Sequence, residues 1–222
     1  MLEEQGFATV ALASVRPQAE KTRPPRALWS AAPLGRPLGV PGDAAYQTRM
    51  IQAALALLER TDGPVILEDF PHDPPAGDNP AWVPPALMSA PGFAAELKAL
   101  MPWWEQARQR FGRTTVGLSG VPPEDWPAMT GSFLNGGLPT LPLLDTPALA
   151  LRFLCDDIKA LYGEAAQALG PAPSPTQIDT WFWRRTEAGT LLQELRKAAM
   201  ASENNGLKTV GGRFLVPAPW VT

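Results

Sequence analysis

Among 222 residues there is one cysteine, Cys155, and one histidine, His72. A single cysteine closes no internal disulfide, so the expected compartment is the reducing cytoplasm and the stability must come from a core. His72 is the only imidazole, and "VGLSG" around Ser119 lacks the spacing of a G-x-S-x-G elbow, so serine hydrolase chemistry is not expected. No apolar run approaches the roughly 20 residues of a membrane helix. The start, "MLEEQGF", opens on two acids and lacks the basic flank of a secretory signal. Charge is sparse, at 18% of residues with a net value of −3. That balance excludes a broad nucleic-acid surface, which needs many phosphate-neutralising Lys and Arg.

What remains is apolar and stiff. Hydrophobic residues make up 45% of the chain, enough for a real core. The 26 prolines and 19 glycines are about a fifth of it, below the roughly 25–30% of low-complexity sequence. The composition describes a globular protein with long, rigid connections.

Character changes along the chain, and the expected fold class is α+β. Residues 1–75 read as an incomplete parallel α/β segment of about three strands. Residues 7–13 (FATVALA) form a nearly unbroken apolar run, the pattern of a strand buried on both faces. Residues 26–31 (RALWSA) are a weaker strand, and residues 65–70 (VILEDF) an apolar run ending in acids. Between the last two, residues 43–60 predict a helix: Asp43 can cap it, and Met50, Ala53, Ala54, Leu57 and Leu58 recur at spacings of three and four. Strand, helix and strand at this spacing predict a βαβ crossover. Three such strands leave edges that need pairing, so the sheet is expected to be completed by a second copy or a different chain.

Residues 76–90 are a proline-rich bridge, and residues 91–222 read as a helical domain with an extended C-terminal tail. Its helices are expected over 92–112, with an interruption at Pro102, near 122–136, over 146–170, and over 174–206. The last has Ser174 as its cap, Pro175 in its first turn and Asn205-Gly206 as its stop.

Four groups of residues are candidates for a site. Cys155 precedes Asp156 and Asp157, which would raise its pKa, and apolar residues flank it at helical spacing, so it reads as a buried structural thiol. Glu68, Asp69, His72 and Asp73 cluster after a strand, where α/β sheets place ligands, and are a candidate metal set, although acids and prolines there are also ordinary turn chemistry. Trp181, Trp183 and Arg184 have the composition of an interface core. The two tryptophans stand about 200° apart on a helix, so one of them is expected to meet a partner or a loop.

The fourth group is the loop "PPRALWSAAPLGRPLGVPGDAAYQ". Gly35, Gly39 and Gly42 permit close backbone approach, Arg36 is a candidate carboxylate anchor, and Asp43 stands at the entry to the helix. "GFATVALASVRPQAEKTRPPRAL", running into "PLGRPLGVPGDAAYQTRMIQAALALLE", resembles the C-terminal portion of the selenoprotein B family. These are the substrate-activating components of glycine, sarcosine and betaine reductases, with D-proline reductase as a relative. The resemblance covers about a third of the chain, and "LGRPLGVPGDAAYQ" is its most specific phrase. It implies an α/β subunit of a multi-chain reductase handling small amine or amino-acid substrates. In that family the reactive selenocysteine or cysteine lies upstream of this segment, and Cys155 lies outside the resemblance. The implied partner is therefore a second polypeptide carrying the upstream catalytic part and its thiol or selenol, with no cofactor bound by this chain. Two other readings stand beside this one. One is a self-sufficient enzyme, with or without a metal, using His72 and its neighbouring carboxylates. The other is a structural or regulatory binding protein without chemistry.

Overall fold

The computed structural model describes residues 2–32, 37–39, 43–72, 78–85, 92–141, 144–168, 170 and 172–222. The chain divides into two compact units, residues 1–77 and 78–222. The class is α+β, with a three-stranded parallel sheet in the first unit and helices throughout the second.

The first unit is built on strands β1 (Ala11–Ala13), β2 (Arg26–Trp29) and β3 (Ile66–Asp69), ordered β1-β2-β3 and all parallel. The weak strand of the sequence reading, residues 26–29, is thus the central one. Helix α1 (Arg16–Thr22) joins β1 to β2, and helix α2 (Ala44–Ala56) joins β2 to β3. Asp43 caps α2 by accepting a hydrogen bond from the Tyr46 amide at 2.9 Å. From α2, Tyr46, Met50 and Ala54 turn inward onto Leu28 and Ile66 of the sheet, with Leu57 and Phe70 completing the core.

The N-terminal run behaves differently from its expectation. Only Ala11–Ala13 form a strand, and Ala11 and Leu12 are exposed rather than buried on both faces. The preceding residues are pinned from the side by Glu3. Its carboxylate accepts from the Thr9 amide and hydroxyl at 2.6 and 2.8 Å and from Arg26 at 3.0 Å. Those three bonds hold Glu3 below its usual carboxylate pKa, the Thr9 hydroxyl contributing most.

The second unit contains α3 (Phe93–Phe111), α4 (Trp126–Leu134), α5 (Pro147–Ala165), α6 (Pro175–Arg185), α7 (Glu187–Ala201) and α8 (Asn205–Arg213). Its centre is α5, where Leu151, Leu154, Cys155, Ile158, Leu161 and Tyr162 are all within 1% of full burial. Two acids on the same helix, seven residues apart, fasten the connection between α3 and α4. Asp157, fully buried, accepts from the amides of Gly117, Leu118 and Ser119 at 2.8–2.9 Å and from the Ser119 hydroxyl at 2.5 Å. Glu164 accepts from the Trp104 indole, the Thr115 amide and the hydroxyls of Thr114 and Thr115. A buried carboxylate is tolerable when donors surround it in this way.

Three helical expectations are corrected. Helix α3 runs through Pro102 without interruption. Proline removes one backbone donor, and Leu97 and Leu100 before it and Trp104 and Ala107 after it are all buried, so packing holds both halves. The helix expected over 174–206 is two helices. The hydroxyl of Thr186 accepts from the Gly189 amide at 3.0 Å and starts α7, while Ser174 and Gln177 form the expected capping box of α6. Asn205-Gly206 does not stop a helix but begins one. Asn204 caps α8 through the amides of Gly206 and Leu207, and the supposed extended tail is helical as far as Arg213. Gly211 lets α8 press on α7, since a Cβ there would lie 3.0 Å from that of Ala199.

Candidate functional site

In a parallel sheet all strands end at one edge, and ligands of α/β folds gather outside that edge. Here it carries Ser30, Trp29, Asp69, Phe70 and His72, together with Arg16 from the start of α1 and the cap of α2. Trp29 and Asp69 are paired across β2 and β3, so their side chains share one face, and Leu28 and Glu68 share the other. On the first face the Arg16 guanidinium lies 5.3 Å from the centre of the Trp29 ring and is ion-paired with Asp69 and Glu20. These two acids, Asp69 first, raise the Arg16 pKa above its already high ordinary value. The Trp29 indole N–H is shut off from solvent with no hydrogen-bond partner among the described residues.

On the opposite face Arg60 bridges Asp62 and Glu68. The hydrogen bonds from Arg60 hold the Asp62 carboxyl down to about 2. The proposed metal set is therefore divided. Glu68 and Asp69 point to opposite faces, each tied to its own arginine, His72 is exposed with its ring against Phe70, and Asp73 lies outside the described residues. Among the described residues no three His, Cys, Asp or Glu side chains come together as a metal site.

Of the loop candidates, Gly35, Arg36 and Gly42 lie outside the described residues, while Gly39 and Asp43 are within them. Gly39 has φ +72°, a left-handed conformation that disfavours side chains. The space beside it is filled from within, because a Cβ on Gly39 would lie 2.7 Å from Cε1 of Tyr46. The close approach that glycine permits here is thus to the chain's own helix. Asp43 holds the first turn of that helix, and the two residues together fix where the loop re-enters the fold.

The interface candidates separate. Trp181 is 4% exposed within the core of the second unit, so it presents no face to a partner. Trp183, half-buried, packs edge-on to Phe182 with ring centres 4.7 Å apart, and Arg184 is exposed over the ring of Trp220. Beside them Trp82, Trp181, Thr180 and Arg185 line a pocket of about 250 Å³. Cys155 is fully buried, and desolvation pushes its thiol up to about 12, against the lowering effect of Lys159.

Sequence reasoning missed Arg16 and Trp29. Trp29 ends β2 and Arg16 begins α1, and only the pairing of β2 with β3 places Asp69 opposite Trp29 and within reach of α1. No helix among the described residues is long and apolar enough to cross a membrane. No protein-family model, no curated protein and no solved structure matches the chain.

Proposed function

We propose that the chain is a half-site subunit of a selenoprotein B-like reductase complex in the cytoplasm. Its α/β unit contributes the carboxyl edge of a parallel sheet to an active-site interface, and another chain supplies the reactive thiol or selenol. The observation that carries the reading is the interlock of Gly39 with Tyr46. Both belong to the phrase "LGRPLGVPGDAAYQ", and they set residue 39 against the first turn of α2, the helix that follows β2. The indole N–H of Trp29, buried at the end of β2 without an acceptor among the described residues, supports it, since such a donor is a place for an incoming group. So does the state of Cys155, whose burial and raised pKa suit packing and not nucleophilic attack.

In this reading the complex reductively cleaves the C–N bond alpha to the carbonyl of a small amine or amino-acid substrate. The partner's thiol or selenol with a second thiol supplies the two electrons and ends as a disulfide-level bond, the carbon gains a proton, and the amine leaves. This chain shapes the surface around the site. The test is co-expression with a selenoprotein B-type catalytic chain carrying cysteine in place of selenocysteine. The expected result is a stoichiometric complex whose thiol-dependent reduction of glycine, sarcosine, betaine or D-proline requires both chains. A catalytic chain that ignores this one and turns over at the same rate alone would overturn the reading.

A further inference from the structure

A strap of residues 78–84 runs beside α6, tied down by five hydrogen bonds. The Asn79 amide donates to the Gln177 side chain at 2.8 Å, and that side chain donates back to the Asn79 carbonyl at 2.9 Å. Ser174 donates to Asp78, the Asn79 side chain to the Ala172 carbonyl, and the Trp82 indole to the Ala166 carbonyl. Between strap and helix lies the pocket of about 250 Å³. It is smaller than the roughly 300–1,000 Å³ of drug-sized sites, and its walls are fixed before any ligand arrives.

Gln177, Trp181 and Arg185 recur every four residues, so they share one face of α6, with Thr180 beside them. Trp181 is buried and floors the pocket, and Trp82 and Pro84 wall it from the strap. Arg185 is exposed, and among the described residues neither its guanidinium nor the Thr180 hydroxyl has a partner. At the other end Asp78 spends one carboxylate oxygen on Ser174 and leaves the second without a donor among the described residues. The eleven residues of α6 span about 16 Å, and a side chain at its last position leans toward its start, which sets the two charges on the order of 10 Å apart.

We propose that the pocket binds a small flat carboxylate with a hydrogen-bond donor at its far end, of the hydroxyphenyl acid class. Its carboxylate meets the Arg185 guanidinium and the Thr180 hydroxyl, its ring lies against the indoles of Trp82 and Trp181, and its hydroxyl donates to Asp78. The reversed pose would set acid against acid, so the two charges fix the orientation. Asp78 is exposed, and at about a Debye length from the ligand's carboxylate it repels that group little. All of these residues belong to the second unit, so the inference does not rest on the reductase reading.

The test is isothermal titration of the full chain with 4-hydroxyphenylacetate, and the expected result is saturable one-to-one binding. Arg185→Gln weakens it about tenfold or more, the scale of a hydrogen bond to a charged group. Arg184→Gln removes the same charge one residue away, from a side chain over Trp220 and outside the pocket, and binds like the parent. Phenylacetate, which lacks the hydroxyl, binds the parent more weakly and binds Asp78→Asn no worse than the parent, whereas 4-hydroxyphenylacetate binds Asp78→Asn less tightly. 4-Hydroxybenzyl alcohol, which lacks the carboxylate, does not distinguish the parent from Arg185→Gln. These ligand exchanges probe the same contacts in the unaltered chain, so the result does not hang on the folding of a variant. Absence of saturable binding at millimolar acid, an equal loss in Arg184→Gln and Arg185→Gln, or an alcohol that binds as tightly as the acid would each overturn the inference. None of these results bears on turnover with a catalytic chain, so the two proposals fail separately.

Discussion

The ring of Tyr46 occupies the space that a side chain on Gly39 would need, seven residues earlier in the chain and across the entry to α2. Two costs follow for any replacement of Gly39. The left-handed φ of +72° costs a residue with a Cβ about 1–2 kcal/mol. The 2.7 Å approach then displaces the ring, which sits in the core with Met50 and Phe70. Gly39→Ala is therefore expected to destabilise the first unit by more than the backbone cost alone. The double variant Gly39→Ala/Tyr46→Leu should recover part of the loss, with a coupling of about 0.5–3 kcal/mol as for residues in contact. Urea denaturation of the four proteins measures the coupling. Additive effects would mean that the ring and the glycine are independent.

The same pair marks how far the sequence could be read. Helix α2 was legible because its signals are local: a cap at Asp43 and inward residues three and four apart. The capping box of Ser174 and Gln177 was legible for the same reason. What escaped depends on distant partners. Thr186 looks like one more residue inside a helical run, and its role as a cap emerges only because α6 and α7 turn there, with Gly189 close against Phe182. The run over residues 7–13 has the composition of a buried strand, yet among the described residues Val10 packs on the core while Phe7, Ala11 and Leu12 stay exposed, and composition cannot report a missing neighbour. The carboxylates that organise the second unit were invisible, since the donors to Glu96 and Asp157 lie tens of residues away.

Glu96 gives a direct test of such a long-range anchor. It is 4% exposed and accepts from the Tyr162 hydroxyl at 2.7 Å and from the amides of Glu187 and Ala188 at 2.8 and 3.0 Å. A carboxylate from α3 thus satisfies first-turn amides of α7, where negative charge is favourable. Glu96→Ala is expected to lower stability by at least about 1.5–3 kcal/mol, the scale of one hydrogen bond to a charged group. Tyr162→Phe removes only one donor and should cost about 1 kcal/mol. Thermal unfolding of both variants checks the order. An equal loss in the two would place the energy in the tyrosine contact and not in the helix start.

Cys155 should behave as part of the core. With its thiol raised to about 12, almost no thiolate exists at neutral pH, and the side chain is fully buried. Ellman's reagent is expected to react only as the protein unfolds, with a rate that follows denaturant concentration. Cys155→Ser buries a hydroxyl without an assured partner and should cost about 1–3 kcal/mol, with Cys155→Ala milder. Fast labelling of the native chain would contradict this picture and put a reactive thiol on this subunit.

Asp69 and Arg16 separate stability from function at the carboxyl edge. Their side chains are 52% and 39% exposed, and an ion pair at that exposure is worth no more than about 1 kcal/mol. Asp69→Asn is therefore expected to melt within about 4 °C of the parent. Its effect on the site should be larger than its effect on the fold. Without the carboxylate, nothing on β3 holds the Arg16 guanidinium over Trp29, and Glu20, one turn along α1, draws it away from the ring. A cation over an indole is worth about 0.5–1 kcal/mol when exposed and more when a partner excludes water. If this edge faces a catalytic chain, Asp69→Asn should weaken the complex or its turnover while leaving the melt unchanged. Glu20→Gln, which removes the competing acid and leaves Asp69 in place, should do neither. Binding of each variant to the catalytic chain by isothermal titration distinguishes the two. Equal affinities for parent, Asp69→Asn and Glu20→Gln would make the arginine, the indole and the acid a surface cluster with no part in assembly.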